Sequence, residues 1–268
     1  YLGNGAGFDD GAPWISFSAP DKPAPWFVQA GDINGDGLPD IIWMASNDVV
    51  YAARSTGSGF TGISADGTSY VALSASAMAP AAFHPPQFYG NIQKLIASRV
   101  SIGDFDGDGL ADILIHKGAD GVSGSYAGLY VGLSNRTGFL APERWGGGSG
   151  TDEFGHFFDG IGFRDLATPI DPLVVDLDGD GAMDVVAVAA YADWTNKNRN
   201  LISLMWFRND GTQNFEPRIL ARAPRDQICL ATADLDGSGR PSLITGGFYL
   251  YPPYQDMGRI TLWQRPAP

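Results

Sequence analysis

The sequence predicts an all-β fold in which four similar antiparallel sheets follow one another along 268 residues. Three observations predict it. An acidic motif, Asp-x-(Asp/Asn)-x-Asp-Gly-x-x-Asp, occurs three times, and a degenerate fourth copy follows. After each copy come two short runs rich in β-branched, aliphatic and aromatic residues, separated by turn residues. Glycine (36) and proline (18) are frequent, as many short strands joined by tight turns require. Recurrence of a whole supersecondary unit means that neighbouring copies stack and bury each other's apolar faces.

The copies run in order. The motif occupies Asp32–Asp40, Asp104–Asp112 and Asp176–Asp184, and the degenerate copy occupies Asp234–Ser242. Successive first aspartates are 72, 72 and 58 residues apart. Directly after each motif lies a strand-forming run: Ile41-Ile42-Trp43, Ile113-Leu114-Ile115, Val185-Val186-Ala187-Val188 and Leu243-Ile244. A second run follows: Val49–Ala52, Leu129–Gly132, Leu204–Phe207 and Ile260–Trp263. Polar turns then end in Phe60, Phe139 and Phe215. The fourth unit lacks such a turn, but the chain opens with Tyr1-Leu-Gly-Asn-Gly-Ala-Gly-Phe8. The N-terminus is therefore expected to supply the outer strand of the last sheet, which would remove an exposed edge. The units are placed at about 19–90, 91–165, 166–222 and 223–268 with 1–18, as a single domain. The best helical candidate is weak and lies at 86–99. Two inserts, 68–99 and 145–172, are long enough to carry function.

The motif chemistry points to calcium. Ca²⁺ takes six to eight hard oxygen ligands. A tight turn can direct side chains at positions 1, 3 and 5 inward, add the carbonyl at position 7, and close the cage with the acid at position 9. The candidate ligands are Asp32, Asn34, Asp36, the Leu38 carbonyl and Asp40 in the first loop. They are Asp104, Asp106, Asp108, the Leu110 carbonyl and Asp112 in the second, and Asp176, Asp178, Asp180, the Ala182 carbonyl and Asp184 in the third. The fourth loop retains Asp234 and Asp236 but has Ser238 and Ser242, so it is the weaker candidate. Gly37, Gly109 and Gly181 stand at position 6, where positive φ is needed. An EF-hand would place a bidentate Glu at position 12. Trp43, Ile115, Ala187 and Thr245 stand there instead, in strand-forming runs.

These loops, with the Gly-x-Gly-Phe turns, resemble the FG-GAP/VCBS repeats of integrin α-subunit propellers and of many bacterial secreted proteins. The resemblance implies a β-propeller of four-stranded antiparallel blades. It also implies calcium loops joining the first two strands of each blade. It implies no single activity, since such propellers serve in adhesion, in glycan binding and as scaffolds. Related propellers often have seven blades. Four repeats could close a small ring, form a segment of a longer chain, or make half of an assembled ring.

The net charge of −13 argues against nucleic-acid binding, although thirteen of the thirty acidic residues lie in the four loops. Three bound Ca²⁺ ions would bring the net charge to about −7. No apolar run is long enough to insert into a membrane. Millimolar calcium outside the cytosol would fill moderate-affinity loops, which points to an extracellular, cell-surface or periplasmic location. No signal peptide is recognisable at Tyr1-Leu-Gly-Asn. The single cysteine, Cys229, is expected to be a buried strand residue.

No catalytic residues are assigned. His84, His116 and His156 have no metal-type spacing, and no nucleophile or phosphate-binding motif occurs. His156, among Asp152, Glu153, Asp159, Arg164 and Asp165, is the one place where acid–base chemistry is conceivable. Of the seven tryptophans, Trp43, Trp206 and Trp263 are expected in the core between blades. Trp145, Tyr191, Trp194, Tyr251 and Tyr254 lie in polar or Gly/Pro-rich segments and are the candidate ligand-binding aromatics, because exposed rings stack on sugars. The leading expectation is a recognition or adhesion module for a glycan or protein ligand, with structural calcium. The alternatives are a non-catalytic scaffold domain of a larger assembly or toxin, and a polysaccharide-active enzyme.

Overall fold

The computed structural model describes residues 27–44, 49–74, 76–77, 88–89, 92–93, 99–117, 128–146, 169–189, 202–224, 227–247 and 260–264. The described residues form strands and turns, with no helix among them. Blade 1 is built from β1 (Phe27–Gly31), β2 (Asp40–Met44), β3 (Val50–Ser55) and β4 (Phe60–Gly62), in that spatial order, with β5 (Val71–Leu73) also paired to β3. A short hairpin, β6 (Phe88–Tyr89) and β7 (Ile92–Gln93), follows. Within the stretch considered for a helix, 86–99, residues 88–89 and 92–93 are paired strands and Arg99 opens the next strand, and the other residues of that stretch lie outside the described residues.

Blade 2 comprises β8 (Arg99–Gly103), β9 (Asp112–Lys117), β10 (Gly128–Gly132) and β11 (Glu143–Gly146). Blade 3 comprises β12 (Pro169–Val175), β13 (Asp184–Ala189), β14 (Leu204–Asn209) and β15 (Phe215–Ala221). Blade 4 has three described strands, β16 (Gln227–Ala233), β17 (Ser242–Gly247) and β18 (Ile260–Trp263). All pairings within blades are antiparallel. The acidic loops join the first two strands of every blade. The N-terminal strand expected to complete blade 4 lies outside the described residues.

Strand alternation gives each blade two faces; three core clusters lie between blades, and a fourth, Trp43, Tyr51 and Ala53 with Phe60 and Tyr70, lies on the other face of blade 1. Ile33, Ile42, Met44, Val50 and Ala52 of blade 1 pack on Val100, Ile113, Ile115 and Tyr130 of blade 2. Phe105, Leu114, Leu129, Val131 and Trp145 of blade 2 pack on Val185, Ala187, Met205, Phe207 and Phe215 of blade 3. Leu177, Val186, Leu204 and Trp206 of blade 3 meet Leu243, Leu230 and Trp263 of blade 4. Full burial of each such side chain contributes about 1.5–3 kcal/mol. Innermost strands are also stitched together: Gln29 donates to the Val100 carbonyl at 3.1 Å, and Ser101 to the Pro172 carbonyl at 3.4 Å.

The Gly-Phe turn has a packing reason. Phe139 is buried, and its N–H donates to the Ala72 carbonyl at 2.8 Å across the blade 1–blade 2 boundary. Gly138 lies so close to that carbonyl, at φ 152°, that a β-carbon there would overlap it.

Two sequence expectations are overturned. Trp145 is not an exposed loop aromatic: it sits on β11, buried, with its ring 5.9 Å from that of Phe215. The strand after the turn continues further than its glycine-rich neighbourhood indicated, and blade 3 covers it. Cys229 is exposed, because it points to the face of blade 4 that no described neighbour covers.

Candidate metal sites

Each acidic loop is wound around its first aspartate. Asp32 accepts the N–H groups of Gly35 at 2.7 Å and Gly37 at 2.7 Å. Asp104 accepts Gly107 at 2.8 Å and Gly109 at 2.9 Å, and Asp176 accepts Gly179 at 2.7 Å and Gly181 at 3.0 Å. Such a tight winding needs positive φ at positions 4 and 6. The glycines there have φ of 78° and 82° in loop 1, 80° and 84° in loop 2, and 80° and 92° in loop 3. The position 4 requirement went unread in the sequence, although all four copies carry glycine there. Position 5 makes a further local turn: Asp36, Asp108 and Asp180 accept the N–H two residues on, at 2.9, 2.8 and 3.0 Å.

The aspartate at position 9 has a separate job. Asp112 is buried, and its two oxygens accept the N–H groups of Phe105 at 2.9 Å and Ser134 at 2.8 Å. Asp40 does the same for Ile33 (3.1 Å) and Ser55 (2.8 Å), and Asp184 for Leu177 (2.9 Å) and Asn209 (2.8 Å). One carboxylate thus ties the start of the acidic loop to the end of the third strand. Sequence reasoning missed those partners. Their signal is the Ser or Asn that opens each polar turn after the third strand.

In loop 2, Asp104, Asp106 and Asp108 each direct a carboxylate oxygen to within 4.8 Å of the others. Burial, and then the charges of Asp108 and Asp104, push the Asp106 carboxyl upward against the Asp108 N–H that it accepts. In loop 3 the grouped residues are Asp176, Asp178 and Asp184. Burial pushes the Asp112 carboxyl up to about 7 and that of Asp184 up to about 6, outweighing their backbone hydrogen bonds. Burial raises Asp40 as well. Like charges held this close, in hard oxygen donors, match the demand of a divalent cation. Asp178 Oδ1 adds an independent sign of fit, since it is buried without a hydrogen-bond partner.

Loop 3 differs from loop 2 in one respect. Arg208, on β14, donates to Asp178 Oδ2 at 2.6 Å and to Asp180 Oδ2 at 2.6 Å. The equivalent position before the turn is Leu133 in blade 2 and Arg54 in blade 1. Arg54 instead donates to the Ile63 carbonyl at 3.3 Å. Loop 4 keeps the winding, with Gly239 donating to Asp234 at 2.8 Å and Ser238 to Asp236 at 3.0 Å. With Ser242 at position 9 it has no buried carboxylate, and no cluster of three acids forms there among the described residues.

Of the ligand-binding candidates, Tyr191, Trp194, Tyr251 and Tyr254 lie outside the described residues, as do His84 and His156. His116 lies on β9. Among the described residues, no helix is long and apolar enough to cross a membrane. Residues 24–71 match the FG-GAP repeat, and residues 176–245 match the FG-GAP-like repeat. These stretches hold acidic loops 1, 3 and 4. No curated protein matches the chain.

Proposed function

Since this chain is built from FG-GAP repeats, we propose that it is an exported, calcium-binding recognition or adhesion module for a glycan or protein ligand, with calcium in a structural role. The observation that carries the calcium reading is the loop 2 cluster, where three carboxylates converge within 4.8 Å on a loop held by its own backbone. Asp104, Asp106 and Asp108 would hold one ion, and Asp176, Asp178 and Asp184 another. Asp32, Asn34, Asp36 and Asp40 form the corresponding set in loop 1. The Leu38, Leu110 and Ala182 carbonyls are the backbone candidates. A bound ion supplies charge neutralisation. The chain's own residues do the rest: position 1 winds the loop, position 5 turns it, and position 9 anchors it to the third strand.

FG-GAP repeats are typical of extracellular and surface proteins, which supports export. The recognition role rests on that kinship and on rigid blades that present loops from one end. With Trp145 in the core, Tyr191, Trp194, Tyr251 and Tyr254 remain as the aromatic candidates. The first test is calorimetric titration of calcium into chelator-treated protein, followed by a glycan-array screen in millimolar calcium and again in EGTA. Calcium uptake with calcium-dependent hits on related sugars supports the proposal. Absence of uptake overturns the metal reading. A blank array with calcium-loaded protein moves the reading to a scaffold domain, which the face of blade 4 that no described residue covers favours.

A further inference from the structure

Loops 2 and 3 carry the same aspartates, at positions 1, 3, 5 and 9. Residue type alone makes them equal metal sites, yet their side chains are arranged differently. In loop 2 the acids at positions 1, 3 and 5 converge: Asp104, Asp106 and Asp108. In loop 3 the converging acids are Asp176, Asp178 and Asp184, and the position 5 acid, Asp180, does not join them. Arg208 accounts for the difference. Its Nη2 donates to Asp180 Oδ2 at 2.6 Å, and its Nε to Asp178 Oδ2 at 2.6 Å. One guanidinium therefore spans the carboxylates at positions 3 and 5.

This arrangement is particular to blade 3. Among the described residues no basic side chain pairs with Asp104, Asp106 or Asp108, and the position that matches Arg208 is Leu133. In blade 1 the matching Arg54 donates to the Ile63 carbonyl. Arg136 does reach loop 1, but its Nη1 donates to the Asn34 backbone carbonyl at 2.8 Å and not to a carboxylate.

We propose that Arg208 is a built-in counter-ion that competes with calcium for loop 3, so that loop 3 is a weak, exchangeable site beside the tighter site of loop 2. The inference rests on the calcium reading above and assigns unequal affinities to two loops with the same ligands. Calcium affinity follows the charge that the ligands present. In loop 3 the guanidinium cancels one unit of that charge. Arg208 must also let go of Asp178 and Asp180 before those oxygens serve an ion. The apparent affinity is then lowered by the fraction of molecules in which Arg208 is released. Both contacts are short and charge-assisted, which favours the paired arrangement. The Arg208, Asp178 and Asp180 side chains are 23%, 21% and 30% exposed, so water screens part of the attraction. An effect of about tenfold follows, far short of a closed site. Asp178 Oδ1 stays buried and unpartnered beside the pair, so the loop keeps a ligand atom in reserve while Arg208 is in place. In calcium-free protein Arg208 offsets the repulsion between Asp178 and Asp180, and loop 2 has no such substitute among the described residues.

The test is calorimetric titration of calcium into chelator-treated protein, as wild type and as Arg208→Gln, Arg208→Lys and Asp178→Asn. Circular dichroism checks that each variant is folded. Wild type should show a site about tenfold weaker than the tightest one, and Asp178→Asn should abolish that weak site. Arg208→Gln should tighten it about tenfold. Arg208→Lys restores the charge without the planar fork and should fall between the two. Thermal melts give a second readout. Arg208→Gln should melt below wild type in chelator and match it in saturating calcium, where Arg208 is already displaced. An arginine with a purely structural role would cost the same in both. Calcium uptake in which Arg208→Gln changes no affinity overturns this inference alone. A melting deficit that persists undiminished in calcium does the same. No uptake by wild type or any variant overturns the calcium reading, and this inference with it.

Discussion

Replacing Asp112 by Ala tests whether the ninth loop residue acts through the backbone or only through a metal. Its carboxylate takes the Phe105 N–H at 2.9 Å and the Ser134 N–H at 2.8 Å. Alanine would orphan both donors, the first of them deeply buried. An unsatisfied buried donor costs about 1–3 kcal/mol, so the pair would cost about 2–6. The substitution also removes the burial penalty that raises the Asp112 carboxyl to about 7, which offsets part of this. The lower half of the range, about 2–4 kcal/mol, is therefore expected. For a chain of this size that is a fall in melting temperature of about 10 °C. The assay is a thermal melt followed by circular dichroism, in chelator and in millimolar calcium. Asp106→Ala is the control: it accepts one long backbone bond, from Asp108 at 3.2 Å, in an exposed loop. It should change the metal-free melt by no more than about 0.5 kcal/mol while removing much of the gain from calcium. A metal-free Asp112→Ala melt as close to wild type as the control's would refute the anchoring argument.

Three other outcomes are expected. Arg208→Gln removes the cation bridging Asp178 and Asp180; calorimetry should show one calcium site tightening about tenfold, and Arg54→Gln should leave all sites unchanged. In metal-free protein, Asp112 and Asp184 hold protons up to about 7 and about 6, against an unfolded value near ~4. Their contribution is complete below the unfolded value and is lost as pH rises through the folded values, so metal-free melting temperature should fall between about pH 4 and 7. Saturating calcium should abolish that fall, and a metal-free melt that rises with pH would contradict it. Gly138→Ala drives a β-carbon into the Ala72 carbonyl; a urea titration should show a loss of about 2 kcal/mol or more, whereas Gly59→Ala, which meets only the Thr56 hydroxyl at 3.8 Å, should be far milder.

Local chemistry made much of this protein legible in one dimension. Positive φ at Gly37, Gly109 and Gly181, strands after each loop, and carboxylates converging in loop 2 all follow from neighbours within about ten residues. Turn residues and strand formers act at that range, so the blades and the candidate metal loops could be read from spacing alone. Partners remote in sequence could not. Asp112 anchors the Ser134 N–H, 22 residues away, and Arg208 reaches back 30 and 28 residues to Asp178 and Asp180. Trp145 looked like a surface ring because its own neighbours are glycines, yet Phe215 of the next blade covers it. Cys229 looked like a core residue because its neighbours are apolar, yet it is exposed, on a face of blade 4 that no described neighbour covers. Burial depends on which blade stands opposite, and stacking order is a tertiary property. The sequence by itself determined the repeating unit and its acidic loops, because those are written in residue type and local spacing. Only the tertiary structure decided which faces are covered, which carboxylates anchor backbone and which cation already sits in loop 3, because those contacts join residues that the chain keeps far apart.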